Sequence, residues 1–314
     1  MNISTRNKFK SYLKIYYNYL YSMENINNTI TFVTCFYKIK SKFNAETYCH
    51  WMRNLLLNVN HFNLVVYTNK ESRKYLPLVD NSKIVIIEKN IEEFYNYQYK
   101  LYWEKNHKTN HSLNDNSIWK TDWELNMLWS EKIAFVKEVA DNEYFSTPFY
   151  GWLDIGYFRN SNCNNWPDNK IINAFDKTRI YYGMVQTNNN NISYIKQQIN
   201  NKTAKGLVKQ TIHPECVSIA GGFFVIHKEK VPFWFHLYDY TLKNYLFNQI
   251  QVKDDQTILV DCIFGKETQD HFYIFRDMTL NDDTKWFLFI DLLNDKKDRH
   301  FKSNAFHNTL MDIY

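Results

Sequence analysis

Short runs of β-branched and aromatic residues alternate along the chain with stretches whose apolar positions recur at helical spacing. Residues 29–37 (TITFVTCFY) have the composition of a buried strand. Residues 45–59 follow with Tyr48, Met52, Leu55 and Leu56 on one helical face. A second strand is expected at 62–68 (FNLVVYT), a short helix at KESRKYL and a third strand at 83–89 (KIVIIEK). This β-α-β-α-β order predicts a parallel, Rossmann-like sheet. No G-x-G-x-x-G follows the first strand, which argues against dinucleotide binding of the usual kind.

Further on, residues 91–106 and 121–140 read as helices, the second largely apolar through Leu125, Leu128, Ile133, Phe135 and Val136, with Lys132 among them. A strand ending in a turn is expected at 147–158, further strands at 180–187, 218–228 and, last, 271–275, and helices at 229–249 and 254–264. The asparagine run 188–191 reads as a loop tip, and the polar stretch onward to Gly206 as a candidate acceptor loop. Residues 1–28 read as an added N-terminal helix closed by the turn signal at 25–28. No internal repeat or linker divides residues 29–314. The expectation is one mixed α/β domain at 29–314, its sheet flanked by helices, behind a helical extension at 1–28.

Composition changes this picture little. The 24 Tyr and 23 Phe are spread along the whole chain, so most belong to the core rather than to a sugar pocket. A formal charge of +5 on 314 residues is mild, and the densest basic run, KKDRH at 296–300, is broken by acid. That pattern argues against nucleic-acid binding, which needs clustered cations. The five Cys are far apart and form no C-x-x-C, so free thiols in a reducing, cytoplasmic setting are expected. No apolar run approaches the roughly 20 residues that span a bilayer.

Candidate chemistry gathers in a few segments. In residues 151–157 (GWLDIGY), Asp154 leaves the end of a buried strand, where the ligand crevice of an open α/β sheet lies. A carboxylate there can hold a hard divalent cation that neutralises a diphosphate, and Gly156 would admit backbone close to the ligand. The alternative is a turn Asp that caps the next segment. Gly221 and Gly222 inside a strand mark a bulge, a close approach, or packing against a helix. Asp254 and Asp255 open an apolar helical run; one can serve as N-cap while the other faces the crevice beside Gln256. Lys132 could bind phosphate or snorkel to solvent. His307 is a candidate ligand by context alone, with a structural role the commoner outcome.

Residues 31–37, the W-x-x-K-x-x-F-V of 129–136 and TPFYGWLDIGYFR (147–159) resemble the HtrL/YibB (WlaTC-like) family of bacterial and large-virus glycosyltransferase-like proteins. The resemblance covers roughly residues 29–275 and implies a GT-A fold. Gly221-Gly222-Phe223-Phe224 and KDDQT (253–257) are further similar to segments of the lysyl hydroxylase glycosyltransferase domains. Together these likenesses imply that Asp154 and His307 hold Mn²⁺ or Mg²⁺, and that Asp254, Asp255 and Gln256 are catalytic. Thr34, Phe36, Lys132, Trp152, Asp154, Gly156, Gly221 and Gly222 would then line the donor. One departure stands out: GT-A enzymes commonly show Asp-x-Asp, and here the second position is Gly156.

The function expected is metal-dependent transfer of a sugar from a nucleotide-sugar, a UDP-sugar first, to a glycan, lipid-linked or protein acceptor. A non-catalytic scaffold of the same fold is the alternative that Gly156 suggests. A nucleotidyltransferase would need a glycine-rich basic loop after the first strand, and Lys38 and Lys40 stand there without glycine.

Overall fold

A computed structural model describes residues 29–114, 121–159, 165–213, 216, 218–281, 283–294, 301–303 and 310–313. The expected extension at 1–28 and His307 lie outside the described residues. The chain begins with β1 (Ile30–Phe36), α1 (Ala45–Leu57), β2 (Asn63–Thr68) and β3 (Ile84–Glu88). Then come α2 (Lys100–Thr109), the long α3 (Trp123–Asn142), β4 (Phe149–Leu153) and β5 (Ile180–Met184). The remainder is α4 (Asn189–Asn200), β6 (Ile219–His227), α5 (Val231–Phe247), α6 (Asp255–Phe264), β7 (Phe272–Asp277), β8 (Phe301–Ser303) and β9 (Leu310–Ile313).

These strands form one sheet in the order β3-β2-β1-β4-β6-β5-β7-β9-β8. Among the described strands β6 and β8 run against the rest. The expected mixed α/β sheet with a Rossmann-like start is therefore present. After β1 the chain builds outward through β2 and β3, then crosses back to place β4 on the other side of β1. The strand order thus reverses between β1 and β4, and in open α/β sheets that is where a crevice opens beyond the strand ends.

Alternation along β1 divides the core in two. Val33 joins Tyr67, Phe135, Val136 and the helices α3, α5 and α6 on one face. Phe32 and Phe36 point to the other, with Met52, Leu55 and Leu56 of α1 and with Trp166. The abundant aromatics stack on one another in both layers: Tyr67 on Phe135 and Phe223 on Phe289, each with centroids 4.3 Å apart. Most of the Tyr and Phe excess is thus core packing, as the even spread along the sequence implied.

Several local expectations are corrected. The asparagines at 188–191 are not a loop tip. Asn188 caps α4, its side chain accepting from the Asn190 amide at 2.8 Å, and Ile192, Ile195 and Ile199 then bury one helical face. Most of the supposed acceptor loop is consequently a packed helix. Residues 91–106 are two 3₁₀ turns leading into α2, because Glu131 of α3 captures the Tyr95 and Asn96 amides at 2.6 and 2.9 Å. The 147–158 run is, as expected, a strand ending in a turn, the strand covering Phe149–Leu153. By contrast, β9 and β8 extend the sheet beyond β7, the strand expected to be last.

Close packing makes one glycine of β4 irreplaceable. A Cβ on Gly151 would lie 2.3 Å from the Phe224 carbonyl oxygen and 2.8 Å from the Phe32 ring. The first of these is backbone in a neighbouring strand and cannot step aside. Gly151→Ala is expected to cost about 2 kcal/mol or more in urea unfolding, as overpacked cores do; an unchanged midpoint would contradict the tight β1-β4-β6 packing.

Candidate active site

Three elements converge at the strand ends beside the β1/β4 reversal. The first is the turn after β4. Asp154 donates its backbone N–H to the Gly222 carbonyl at 2.9 Å, and its own carbonyl receives Tyr157 N–H at 2.9 Å. Trp152, itself buried against Phe135, donates its indole N–H to Asp154 Oδ1 at 2.5 Å. Oδ2 has no hydrogen-bond partner among the described residues, and the side chain keeps 45% of its surface exposed. Asp154 is an oriented carboxylate with one oxygen tied and one open.

The second element is α3. Its buried centre is polar, and each group is spoken for. Ser130 accepts from Tyr238 at 3.1 Å, Glu131 holds the 3₁₀ turns, and Lys132 reaches the strand ends. Lys132 Nζ lies 2.9 Å from the Gly221 carbonyl, 3.2 Å from Asp154 Oδ1 and 3.1 Å from Asp255 Oδ2. An ammonium has three protons, and here it has three acceptors. Burial opposes its charge, but Asp154 and Asp255 outweigh burial and hold its pKa above the ordinary lysine value. The snorkelling alternative is excluded: the residue is 8% exposed and points inward.

The third element is the start of α6. Asp254 is the N-cap and accepts the Gln256 amide at 3.1 Å. Asp255 turns inward to Lys132 with a side chain 10% exposed. Burial pushes its carboxyl up to about 6, against the pull of Lys132 and with the help of Asp254. The division of labour expected of this pair, one cap and one crevice residue, is thus resolved. The segment before the pair is clamped by buried asparagines. Asn106 accepts Val252 N–H and donates to Val252 O, both at 2.8 Å; Asn110 and Asn126 donate to Lys253 O at 3.1 and 3.0 Å.

The glycine pair works by absence of side chains. A Cβ on Gly221 would meet Asp255 Oδ2 at 2.5 Å, and one on Gly222 would meet Asp154 Oδ2 at 3.0 Å. The β5–β6 register also shifts there, between Tyr182 and Gly183. Both readings of the pair, bulge and close approach, apply at once.

Other expected site residues are elsewhere. Thr34 and Phe36 lie on the α1 side of β1, 0% and 5% exposed, Phe36 packed on Tyr48 and Tyr75; they do not join the cluster. The space that Gly156 leaves is filled by Trp51, whose ring a Cβ would approach to 2.8 Å. Gln256 sits half-exposed on the first turn of α6. Sequence reasoning missed the asparagine clamp, Cys35 and Arg159. Cys35 ends β1 near the cluster, and burial, then Asp154, raises its thiol pKa, so it stays protonated. Arg159 closes the TPFYGWLDIGYFR block, the one signal that pointed to it. Among the described residues no group of three His, Cys, Asp or Glu is placed to hold a metal ion.

A mixed α/β sheet carrying a carboxylate–ammonium–carboxylate centre at its strand-order reversal is the class of protein these features define. The chain belongs to the HtrL_YibB family, described as bacterial protein of unknown function, whose family model matches residues 9–289. That match crosses residue 28 and contains every residue of the centre. No curated protein matches the chain significantly.

The raised carboxyl of Asp255 fixes a pH dependence. The folded chain binds the Asp255 proton between about pH 4 and 6 where the unfolded chain has released it. Stability from this group is therefore complete below about pH 4 and lost as pH rises through 6. Asp255→Asn is expected to remove that slope, so that the stability difference between wild type and variant changes by on the order of 2 kcal/mol across this range. Parallel curves from urea unfolding would contradict the assignment.

Proposed function

We propose that this protein is a glycosyltransferase of GT-A type. It would move a sugar from a nucleotide-sugar, a UDP-sugar first, to a hydroxyl of a glycan, lipid-linked or protein acceptor. The observation that carries the reading is Lys132, held between Asp154 and Asp255 at the strand-order reversal. With its three protons taken by protein acceptors, Lys132 does not reach a phosphate itself, contrary to the sequence expectation. It holds Asp154 with one oxygen open, where a divalent ion for a diphosphate leaving group would sit.

Asp154 fits a divalent-metal site of the kind that uses few protein ligands. Its Oδ1 is oriented by Trp152 and Lys132, and its Oδ2 is open. Mn²⁺ or Mg²⁺ commonly keeps waters and substrate phosphates as its other ligands. When bound, the ion would neutralise the leaving diphosphate. His307, outside the described residues, keeps its proposed place as a further ligand.

The chain's own residues would do the rest. Gly221 and Gly222 let both carboxylates pack close on β6, and the donor sugar would lie against the open side of Asp154. As the acceptor oxygen bonds to the anomeric carbon, the bond from that carbon to the phosphate oxygen breaks and its electron pair leaves with the nucleoside diphosphate. Asp255, partly neutralised by Lys132, faces the positive charge that builds on the sugar. In retaining transfer the hydroxyl proton leaves on the phosphate; in inverting transfer Asp255 takes it. Gln256 and the exposed side of α6 would meet the acceptor. The free thiols Cys35, Cys49, Cys216 and Cys262 support a reducing, cytoplasmic setting. Among the described residues no helix is long and apolar enough to cross a membrane. Gly156, in place of a second carboxylate, favours a second reading, a scaffold that binds nucleotide-sugars without turnover.

Calorimetric titration with UDP-, GDP- and CMP-sugars, in Mn²⁺ and then in EDTA, tests the proposal. Mn²⁺-dependent binding of one nucleotide class is expected, weakened about a hundredfold in Asp154→Asn, the scale of a lost charge-assisted ligand. Binding of no nucleotide would overturn it. Binding without release of nucleoside diphosphate in the presence of acceptor extracts would favour the scaffold.

A further inference from the structure

Arg159 leaves the turn after β4, a few residues beyond Asp154, and its backbone is pinned. Asn54 of α1 donates its side-chain amide to the Phe158 and Arg159 carbonyls at 3.0 and 3.1 Å. Its guanidinium carbon stands 4.4 Å from the Trp51 ring centroid, 4.8 Å from Phe287 and 5.5 Å from Phe43. Trp51 is itself fixed edge-on by Phe43 and Tyr48, at 4.9 and 5.5 Å, and seated on Gly156. The glycine that interrupts Asp-x-Asp therefore makes room for the ring that carries Arg159.

This cation is stacked on three rings, yet its Nε is buried and lacks an acceptor among the described residues. None of their carboxylates comes within 4.0 Å to close an ion pair. Asp154, Asp283 and Tyr48 act on it only through space. A buried guanidinium Nε left unmet is costly, so a half-buried arginine held this way is expected to meet an acceptor in the working molecule. One further cation lies near. Lys42 lies close enough that Arg159, after burial, lowers its pKa, and the N-terminal end of α1 begins just beyond it. Tyr48 is within electrostatic reach of both Arg159 and Asp154, and Asp154 acts on Arg159 directly, so the guanidinium and the open carboxylate are near neighbours.

We infer that Arg159, stacked on Trp51 and Phe287, is the residue that grips the diphosphate of the ligand bound at Asp154. The inference rests on the nucleotide-sugar reading for the identity of that ligand; the anion site itself does not. Five donors in a planar fork suit two phosphate oxygens at once, and three aromatic faces hold that fork in one orientation. Lys132 would then neutralise the carboxylates from beneath while Arg159 holds the phosphates from the α1 side. A second carboxylate at position 156 would displace Trp51 and add a negative charge next to the anion. Gly156 is thus a consequence of using an arginine here.

The probe is inorganic pyrophosphate, titrated calorimetrically into the full chain without divalent metal. Wild type is expected to bind it, and Arg159→Gln to bind at least about tenfold more weakly, the scale of a lost charge-assisted bidentate contact. Arg159→Lys keeps the charge without the fork and is expected to fall between them; it carries the test if the glutamine variant fails to fold by circular dichroism. Equal pyrophosphate affinity in wild type and a folded variant would overturn the inference, as would no binding by wild type. If UDP-sugar binds wild type and Arg159→Gln equally, the inference falls while the nucleotide-sugar reading stands. If pyrophosphate binds through Arg159 and no nucleotide-sugar binds, the anion site stands and that reading falls.

Discussion

A single ammonium group, Lys132 Nζ, ties together the three segments that meet at the strand ends: the turn after β4, the glycine pair of β6 and the first turn of α6. Removing such a charge from water costs several kcal/mol, and only a full set of acceptors makes the burial tolerable. Each of those acceptors is delivered by a different element. The position of Lys132 therefore constrains all three, and each of them constrains Lys132. With one cation against two carboxylates, the cluster is left net negative, and the excess faces the crevice through the exposed side of Asp154. A divalent ion or another cation suits that excess, and Arg159 sets a positive counterweight on the α1 side.

The fold supplies this arrangement with unusual economy of side chains. Reversal of strand order between β1 and β4 sets these residues where open α/β sheets have their ligand crevice. Absent Cβ atoms at Gly221 and Gly222 let the two carboxylates approach β6, and buried asparagines hold residues 252–253 so that Asp255 enters at the right height. Asn106, Asn110 and Asn126 are 8%, 0% and 0% exposed, and their side-chain N–H groups find acceptors inside the protein, although Asn110 Oδ1 is left without a donor among the described residues. In an Asn-rich chain most asparagines look alike in sequence; these differ only in what they are folded against.

That contrast marks what could be read in advance. The strands at 29–37, 62–68 and 83–89 were legible because β-branched runs bounded by turn residues admit few alternatives. Asp154 was legible because a carboxylate leaving an apolar strand needs a partner, and the Asp254–Asp255 pair because a helix start needs a cap. What was not legible depends on long-range geometry. Lys132 could have snorkelled, and nothing local says that Asp255 waits for it. The helix at 189–200 was hidden by its asparagine-rich first turn, although Ile192, Ile195 and Ile199 carry the helical period. Arg159 was overlooked because an arginine at the end of an aromatic block looks like a solvated terminus. Only the folded chain shows its guanidinium among Trp51, Phe43 and Phe287.

The account stands on the coupling between Lys132 and Asp255, and a double-mutant cycle measures it directly. Urea unfolding at neutral pH of wild type, Lys132→Met, Asp255→Asn and the double variant isolates that pair from their other contacts. A favourable coupling of about 2 kcal/mol or more is expected for charges paired out of water, with the double variant more stable than the sum of single losses allows. Additive losses, with coupling below about 0.5 kcal/mol, would mean the two side chains do not depend on each other. The shared centre on which the site is built would then be wrong.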